Sequence, residues 1–316
     1  MTNPANPRRQ VALVIASIDS RATIMASLAS FQSEARDRAE LVLVDASRDG
    51  TAELVDSNFP DVRLIRRPAG VLVPELWRDG LNATTAPFVA FSTASMLPTE
   101  GWLDALLSKS RSTDAAAVGG SIEPSPTLRG IDRAIYLLRY VHYLRPLPAS
   151  MDPEPPGDNA LYRRDRLAGL ESLMSQGFWE AEIHRALRAR GERTVISESA
   201  MVTFLGGARL IPALRQRLQH ARNFGSTRSS SMTTLERLAR TACAPLVPAV
   251  LSRRIARALR VRGQSIRPWA SALPGLLVLI TAWSAGEVMG TWWRPIPENR
   301  VARDHFQEVP MKRAGG

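Results

Sequence analysis

The sequence has one cysteine, Cys243, among 316 residues. That excludes a disulfide framework and any cysteine-based zinc site, and it suits a reducing compartment. There is no GxGxxG and no GxxxxGK[ST], so neither a nicotinamide nor a P-loop reading has motif support. A G-X-Y period and internal repeats are also absent, which removes collagen-like and solenoid architectures. The opening MTNPANPRRQ is polar, and the VALVIAS after it is too short for a signal h-region with its cleavage site, so no secretory leader is expected. What is present, 45% hydrophobic and 22% charged residues, rules out a wholly disordered chain. The length allows one large domain or two small ones, each able to bury a core.

The net charge of +11 is the unusual figure, and taken whole it suggests nucleic acid or an anionic membrane. It is localised. Residues 1–204 hold 23 basic and 25 acidic groups, a balance of −2. Residues 205–272 hold 13 arginines and one acid, Glu236, a balance of +12, and residues 273–316 carry +1. The basic block flanks apolar sequence. TACAPLVPAVL at 241–251 precedes SRRIARALRVR, and residues 272–293 contain a single charge, Glu287. About 20 apolar residues suffice to span a bilayer. Upstream arginines and the terminal Trp292–Trp293 pair suit interfacial anchoring. Pro274, Gly275, Gly286, Gly290 and Glu287 fit a re-entrant or interfacial helix as well as a spanning one, and a buried hairpin of a soluble domain is the remaining reading. Because the charge accompanies apolar segments and no nucleic-acid motif, anionic membrane lipids are the expected partner and nucleic acid is not. The positive-inside rule keeps the arginine block in the cytoplasm.

Buried-strand patterns at 10–16, 40–45, 62–66, 87–92 and 115–122 alternate with helical patterns, including 72–84 and the stretch carrying Trp102, Leu103, Leu106 and Leu107. Such alternation predicts an α/β domain with a mostly parallel sheet, whose ligands bind beyond the C-terminal strand ends. The expected organisation is a disordered start at 1–9, an α/β domain at 10–204, a basic helical region at 205–271, an apolar transmembrane or re-entrant helix at 272–293 and a polar tail at 294–316. Tyr136, Tyr140 and Tyr143 make a stripe that reads as packing or as a guide for an acceptor.

The strand-end features follow an order. VALVIASIDSR is followed by LVLVDASRDGT, then PFVAFSTASMLPTEGWLDALL, PGDNALYRRDRL and GFWEAEIHRALRARG. This set resembles the inverting, family-2 glycosyltransferases of the GT-A fold over roughly residues 10–204. The block from QRLQHARNFGSTR to AWSAGEVMG resembles the membrane-associating tail of some bacterial members. The resemblance implies a transferase moving a sugar from a nucleotide-sugar donor to a lipid-linked or glycan acceptor, at the cytoplasmic face of the bacterial inner membrane.

It also implies roles for particular residues. Ser17, Asp19 and Asp45 match the nucleotide-binding positions; Asp49 matches the residue that shapes the next turn, where helix capping also explains it. Relatives carry an Asp-x-Asp that holds Mg²⁺ or Mn²⁺ against the diphosphate. Here the matching stretch is Thr93-Ala94-Ser95, and the family's late histidine near Phe204 is missing too. Arg163 and Arg164 are then candidates to meet the leaving-group charge. Asp158 and Asn159 match a segment lining the sugar and acceptor side, and a simple turn accounts for them equally. Glu180 falls at the position of the general base. Glu182 is the neighbouring acid, and His184, four residues on, shares a helix face with Glu180 and could pair with it. A protein that keeps the fold and binds nucleotide or glycan without transfer is the alternative that the missing Asp-x-Asp motivates.

Overall fold

The computed structural model describes residues 9–148, 154–229 and 232–293. The expected disordered start, Arg9 apart, and the polar tail at 294–316 lie outside the described residues. By its contacts the chain divides into two units, Met1–Ser125 with Tyr143–Gly207, and Pro126–His142 with Ala208–Gly316.

The first unit begins β1 (Val11–Ser17), α1 (Ile24–Ala35), β2 (Ala39–Asp45), α2 (Thr51–Asn58), β3 (Arg63–Arg66), α3 (Val73–Asn82), β4 (Phe88–Thr93), β5 (Met96–Pro98), α4 (Trp102–Thr113) and β6 (Ala117–Pro124). After α5 (Gly130–Arg139), which belongs to the second unit, it continues with β7 (Asn159–Arg163), α6 (Arg164–Leu167), α7 (Glu171–Met174), α8 (Glu180–Ala189) and β8 (Thr194–Phe204). The eight strands form one sheet in the order β3-β2-β1-β4-β7-β6-β8-β5. It is mixed. The β1, β2, β3 and β4 pairings are parallel, as is β6 with β8, whereas β7 runs antiparallel to both its neighbours and β5 to β8. The five expected strands are all present. The three that periodicity missed are the three-residue β5 and the pair β7 and β8, whose Asn, Ser and Glu content hides the apolar pattern.

Alternation along β1, β2 and β4 sends successive side chains to opposite faces, and both faces are covered, so these strands read as unbroken apolar runs. On one face Val14, Val42, Val44, Val89 and Phe91 pack with Leu76 and Trp77 of α3, Phe178, and Ile183 and Leu187 of α8. On the other face Leu13, Ile15 and Leu43 are buried, as are Phe31 of α1 and Trp102 of α4, whose rings meet edge-on at 5.4 Å.

Among the described residues the second unit contains α5 and four further α-helices, α9 (Leu210–Ser229), α10 (Thr234–Cys243), α11 (Val247–Val261) and α12 (Leu273–Trp292). The α9 and α12 backbones nearly touch. A Cβ on Gly286 would collide with the Leu218 carbonyl, one on Gly290 with the Arg222 carbonyl, and one on Gly225 with the Glu287 carbonyl. Such close approach is what small residues permit. Arg217 stacks its guanidinium over Trp283 at 4.5 Å, and Tyr136 of α5 lies parallel to Trp269 at 5.5 Å. Residues 126–142, expected within the α/β domain, thus belong to the helical unit, and Tyr136 of the tyrosine stripe packs there.

Candidate functional site

Strand register assembles the site. Ser17 lies opposite Asp45, Ala16 opposite Thr93, and Ser92 opposite Asn159. The ends of three parallel strands and the start of antiparallel β7 therefore share one edge of the sheet. Ser17, Asp45, Thr93, Asp158 and Asn159, separated by up to 142 positions in the chain, meet there for that reason.

At one end Asp45 is buried and accepts hydrogen bonds from the Ser47 hydroxyl at 2.7 Å and the Ser47 N–H at 3.2 Å. The Ser47 oxygen accepts from the Asp19 N–H at 2.7 Å, and Asp19 Oδ1 accepts from the Arg48 N–H at 2.8 Å. This couples the turns after β1 and β2, with Asp19 held at a φ of 48°. A cavity of about 360 Å³ opens beside them, lined by Asp45, Ser47, Arg48, Gly50, Ala52, Glu53, Arg66 and Arg67. Ser47, Arg48 and Arg67 escaped the sequence reading; the signal for the first two was the polar ASRDGT turn, whereas Arg67 directly follows β3. Asp49 accepts from the N–H groups of Thr51 and Arg21. Burial pushes its carboxyl up, but the hydrogen bonds of Thr51 and Arg21 outweigh that and hold it below the ordinary value. Asp49 stands one residue before the Gly50 N-cap of α2, which has no side-chain cap bond, and its bond from the N–H two residues on shapes the turn that leads into the helix.

At the centre the Thr93 and Ser95 hydroxyls lie 3.2 Å apart. Ser92 donates to the Asp158 carbonyl at 3.0 Å, and Trp77 Nε1 to the Ser92 carbonyl at 2.9 Å. Gly157 is the contact point. A Cβ there would sit 2.7 Å from the Trp77 ring and 3.1 Å from the Glu180 carboxylate carbon. The half-buried Glu180 opens α8, where the helix N-terminus favours negative charge. Burial pushes the Tyr143 phenol up, and the negative charges of Glu180, Glu154 and Asp158 add to it. That puts the third tyrosine of the stripe within the electrostatic reach of these carboxylates.

Three candidates have other partners. Asn159 is fully buried, with its amide oxygen accepting from Trp102 Nε1 at 2.8 Å and its amide nitrogen donating to the Ser121 and Ala200 carbonyls at 2.9 and 3.0 Å. Arg163 and Arg164 sit at the far end of β7, where Arg163 is opposite Phe88, the start of β4 and not its end. Arg163 pairs with Asp114 and Asp165, and Arg164 donates to the Ala86 and Leu81 carbonyls and to Thr84 Oγ1. Antiparallel β7 carries both away from Thr93 and Ser95, so neither is placed to meet a diphosphate there.

His184 is fully buried and not presented to a sugar. Its Nε2 lies 2.8 Å from the Tyr162 hydroxyl, and its Nδ1 lies 3.6 Å from Glu154. The carboxylate facing this histidine is Glu154 and not the Glu180 of the expected pair. Glu154 also pairs with Arg188. Glu182, half-buried in the first turn of α8, lies about 200° around the helix from Glu180. Burial depresses the His184 pKa below 6.5 despite the opposing pull of Glu154. A histidine that resists protonation in the folded state confers its full stability above pH 6.5, and loses it as pH falls below that value. His142 behaves alike, depressed to about 4 by burial and by Arg262 and Arg254. In denaturant titrations at successive pH values, stability is expected to fall below pH 6.5, with a shallower fall in His184→Gln and a residual slope from His142. An unchanged slope in the variant would contradict the assignment.

Residues 13–168 match the sequence model described as glycosyl transferase family 2. No curated protein matches the chain. Among solved structures, the chain is similar to the mannosyltransferase PcManGT from Pyrobaculum calidifontis, solved in complex with GDP-Man and Mn²⁺. The TM-score is 0.53 at 17% identity, covering 92% of this chain and 88% of that one. At that identity the likeness is one of fold, the GT-A fold.

Proposed function

This chain is a family 2 glycosyltransferase through its residues 13–168, and we propose that it moves a sugar with inversion from a nucleotide-sugar donor to a lipid-linked or glycan acceptor, with Glu180 as general base. The observation that carries this is the seating of the Glu180 carboxylate against Gly157, beside Asp158 and the end of β4. The nucleoside fits the cavity at Asp45 and Ser47, where buried carboxylate and hydroxyl oxygens accept from ring N–H groups or sugar hydroxyls. Arg48 and Arg67 on the cavity wall supply positive charge that the near-neutral domain lacks in bulk. Glu180 takes the proton of the acceptor hydroxyl as that oxygen attacks C1 of the donor sugar. The new C–O bond forms as the bond from C1 to the phosphate oxygen breaks on the opposite face, and the nucleoside diphosphate leaves with the electron pair.

The residues at Thr93 and Ser95 do not fit a tightly held Mg²⁺ or Mn²⁺. Two mutually hydrogen-bonded hydroxyls replace the carboxylates that hard cations prefer, and no group of three His, Cys, Asp or Glu side chains capable of holding a metal occurs among the described residues. The test is transfer by purified protein over a donor panel, with Mn²⁺ and with chelator. Turnover supports the transferase, whereas donor binding without turnover across the panel favours the binding-only reading.

Because Gly157 separates Trp77 from Glu180, Gly157→Ala is expected to displace the carboxylate and lower kcat by about tenfold to 10²-fold, with the donor Kd little changed. Equal kcat in the variant would remove Glu180 from the reaction centre.

Membrane association belongs to the same proposal. The segment Arg267–Trp292, which includes α12, is long and apolar enough to cross a membrane by length and composition, and it follows the arginine block. The cytoplasmic face of the bacterial inner membrane is the location this reading assigns.

A further inference from the structure

An amphipathic helix on a protein surface normally buries its apolar side and shows its polar side to water. In the helical unit, α10 is mounted the other way round. Its polar residues make the contacts with the rest of the unit. Arg240 faces Glu287 of α12 at 3.5 Å, Thr241 accepts from Trp292 Nε1 at 2.8 Å, and Arg237 donates to the Ser229 carbonyl at 2.7 Å. No residue of α10 is buried. Its apolar residues point outward, Leu235 76% and Leu238 53% exposed, and the stripe runs on through Leu246 at 61% and Val250 at 48%. A capping box between Thr233 and Glu236 starts the helix cleanly, so the outward stripe is set by an ordered element.

The stripe leads straight into positive charge. Arg253, Arg254, Arg257 and Arg260, on the following helix α11, are all exposed. Leucines presented outward beside a row of guanidinium groups match the two layers of an anionic bilayer surface, acyl chains below and phosphates above. The uncharged outer side of α12, with Leu273, Leu277, Val278 and Trp292 exposed, adds apolar surface to the same unit.

We propose that α10, with the turn after it and the first turn of α11, is an in-plane docking face that seats its Leu235–Leu238–Leu246–Val250 stripe in the interface of an anionic membrane. The arginines of α11 take the lipid phosphates. This deepens the membrane reading above and rests on it, but it assigns the contact to a face outside α12.

Cys243, the single cysteine and exposed at the end of α10, provides a reporter in the natural sequence. The full chain carries a polarity-sensitive fluorophore there and is floated with vesicles of phosphatidylcholine alone or with about 30% phosphatidylglycerol. The expected result is flotation favoured by more than about tenfold on the anionic vesicles, with a blue-shifted emission. A nitroxide near the lipid headgroup should quench it, and one at the acyl-chain end should not. The double variant Leu235→Asp, Leu238→Asp should lose the shift and partition at least about tenfold more weakly, with an unchanged melting midpoint because both positions are exposed. Flotation with Cys243 still in water would overturn this face while leaving the membrane reading standing. Failure to float on either vesicle overturns both. Shielding of the fluorophore without vesicles, growing with protein concentration, would assign the stripe to a second copy of the chain and overturn the lipid assignment.

Discussion

Glu180→Gln is expected to lower kcat for sugar transfer by about 10²–10⁴-fold, the usual contribution of a positioned general base. The amide is nearly isosteric, so the seating against Gly157 survives and the melting midpoint should stay put. Donor affinity should also stay close to the parent value. The cavity proposed for the nucleoside is lined by Asp45, Ser47 and their neighbours and does not include Glu180. A loss confined to kcat is the signature of an interaction made only in the transition state. A variant that retains its rate, or that loses donor binding in proportion, would show that Glu180 is not the base.

The second large effect concerns stability. Asn159→Ala is expected to destabilise the protein by about 3–5 kcal/mol, read from urea unfolding midpoints. The side chain satisfies the Trp102 N–H and the carbonyls of Ser121 and Ala200, all at a site with no water access. Truncation would leave buried donors and acceptors unpaired, at about 1–3 kcal/mol each. Asn159 ties α4, β6 and β8 to the start of β7, and so holds the strand end from which Gly157 and Asp158 approach Glu180. A near-neutral unfolding curve with a raised KM would instead restore the sugar-contact role that the sequence suggests for it.

The catalytic-domain strands were legible because β1, β2 and β4 are covered on both faces, which leaves unbroken apolar runs in the sequence. The strand-end turns were legible for a related reason, since polar residues must gather where such runs stop. β7 and β8 were not, because their Asn, Ser and Glu residues are balanced by partners distant in the chain, as Asn159 is by Trp102. Direction was equally hidden. Whether the strand carrying Arg163 and Arg164 runs with its neighbours or against them decides at which end of the sheet they lie, and no local pattern encodes that. His184 shows the same limit, for helical spacing pairs it with Glu180, whereas packing gives it Tyr162 and Glu154.

The amino-acid sequence determined where the charge lies, that an α/β domain precedes a basic helical region, and which carboxylates stand at strand ends, because composition, periodicity and turn chemistry are local properties. The tertiary structure alone decided that residues 126–142 join the helical unit, that Gly157 seats Glu180, and that α10 turns its leucines outward. Those outcomes depend on which distant surface each segment packs against, and a residue's partner across the fold leaves no mark on its neighbours in the chain.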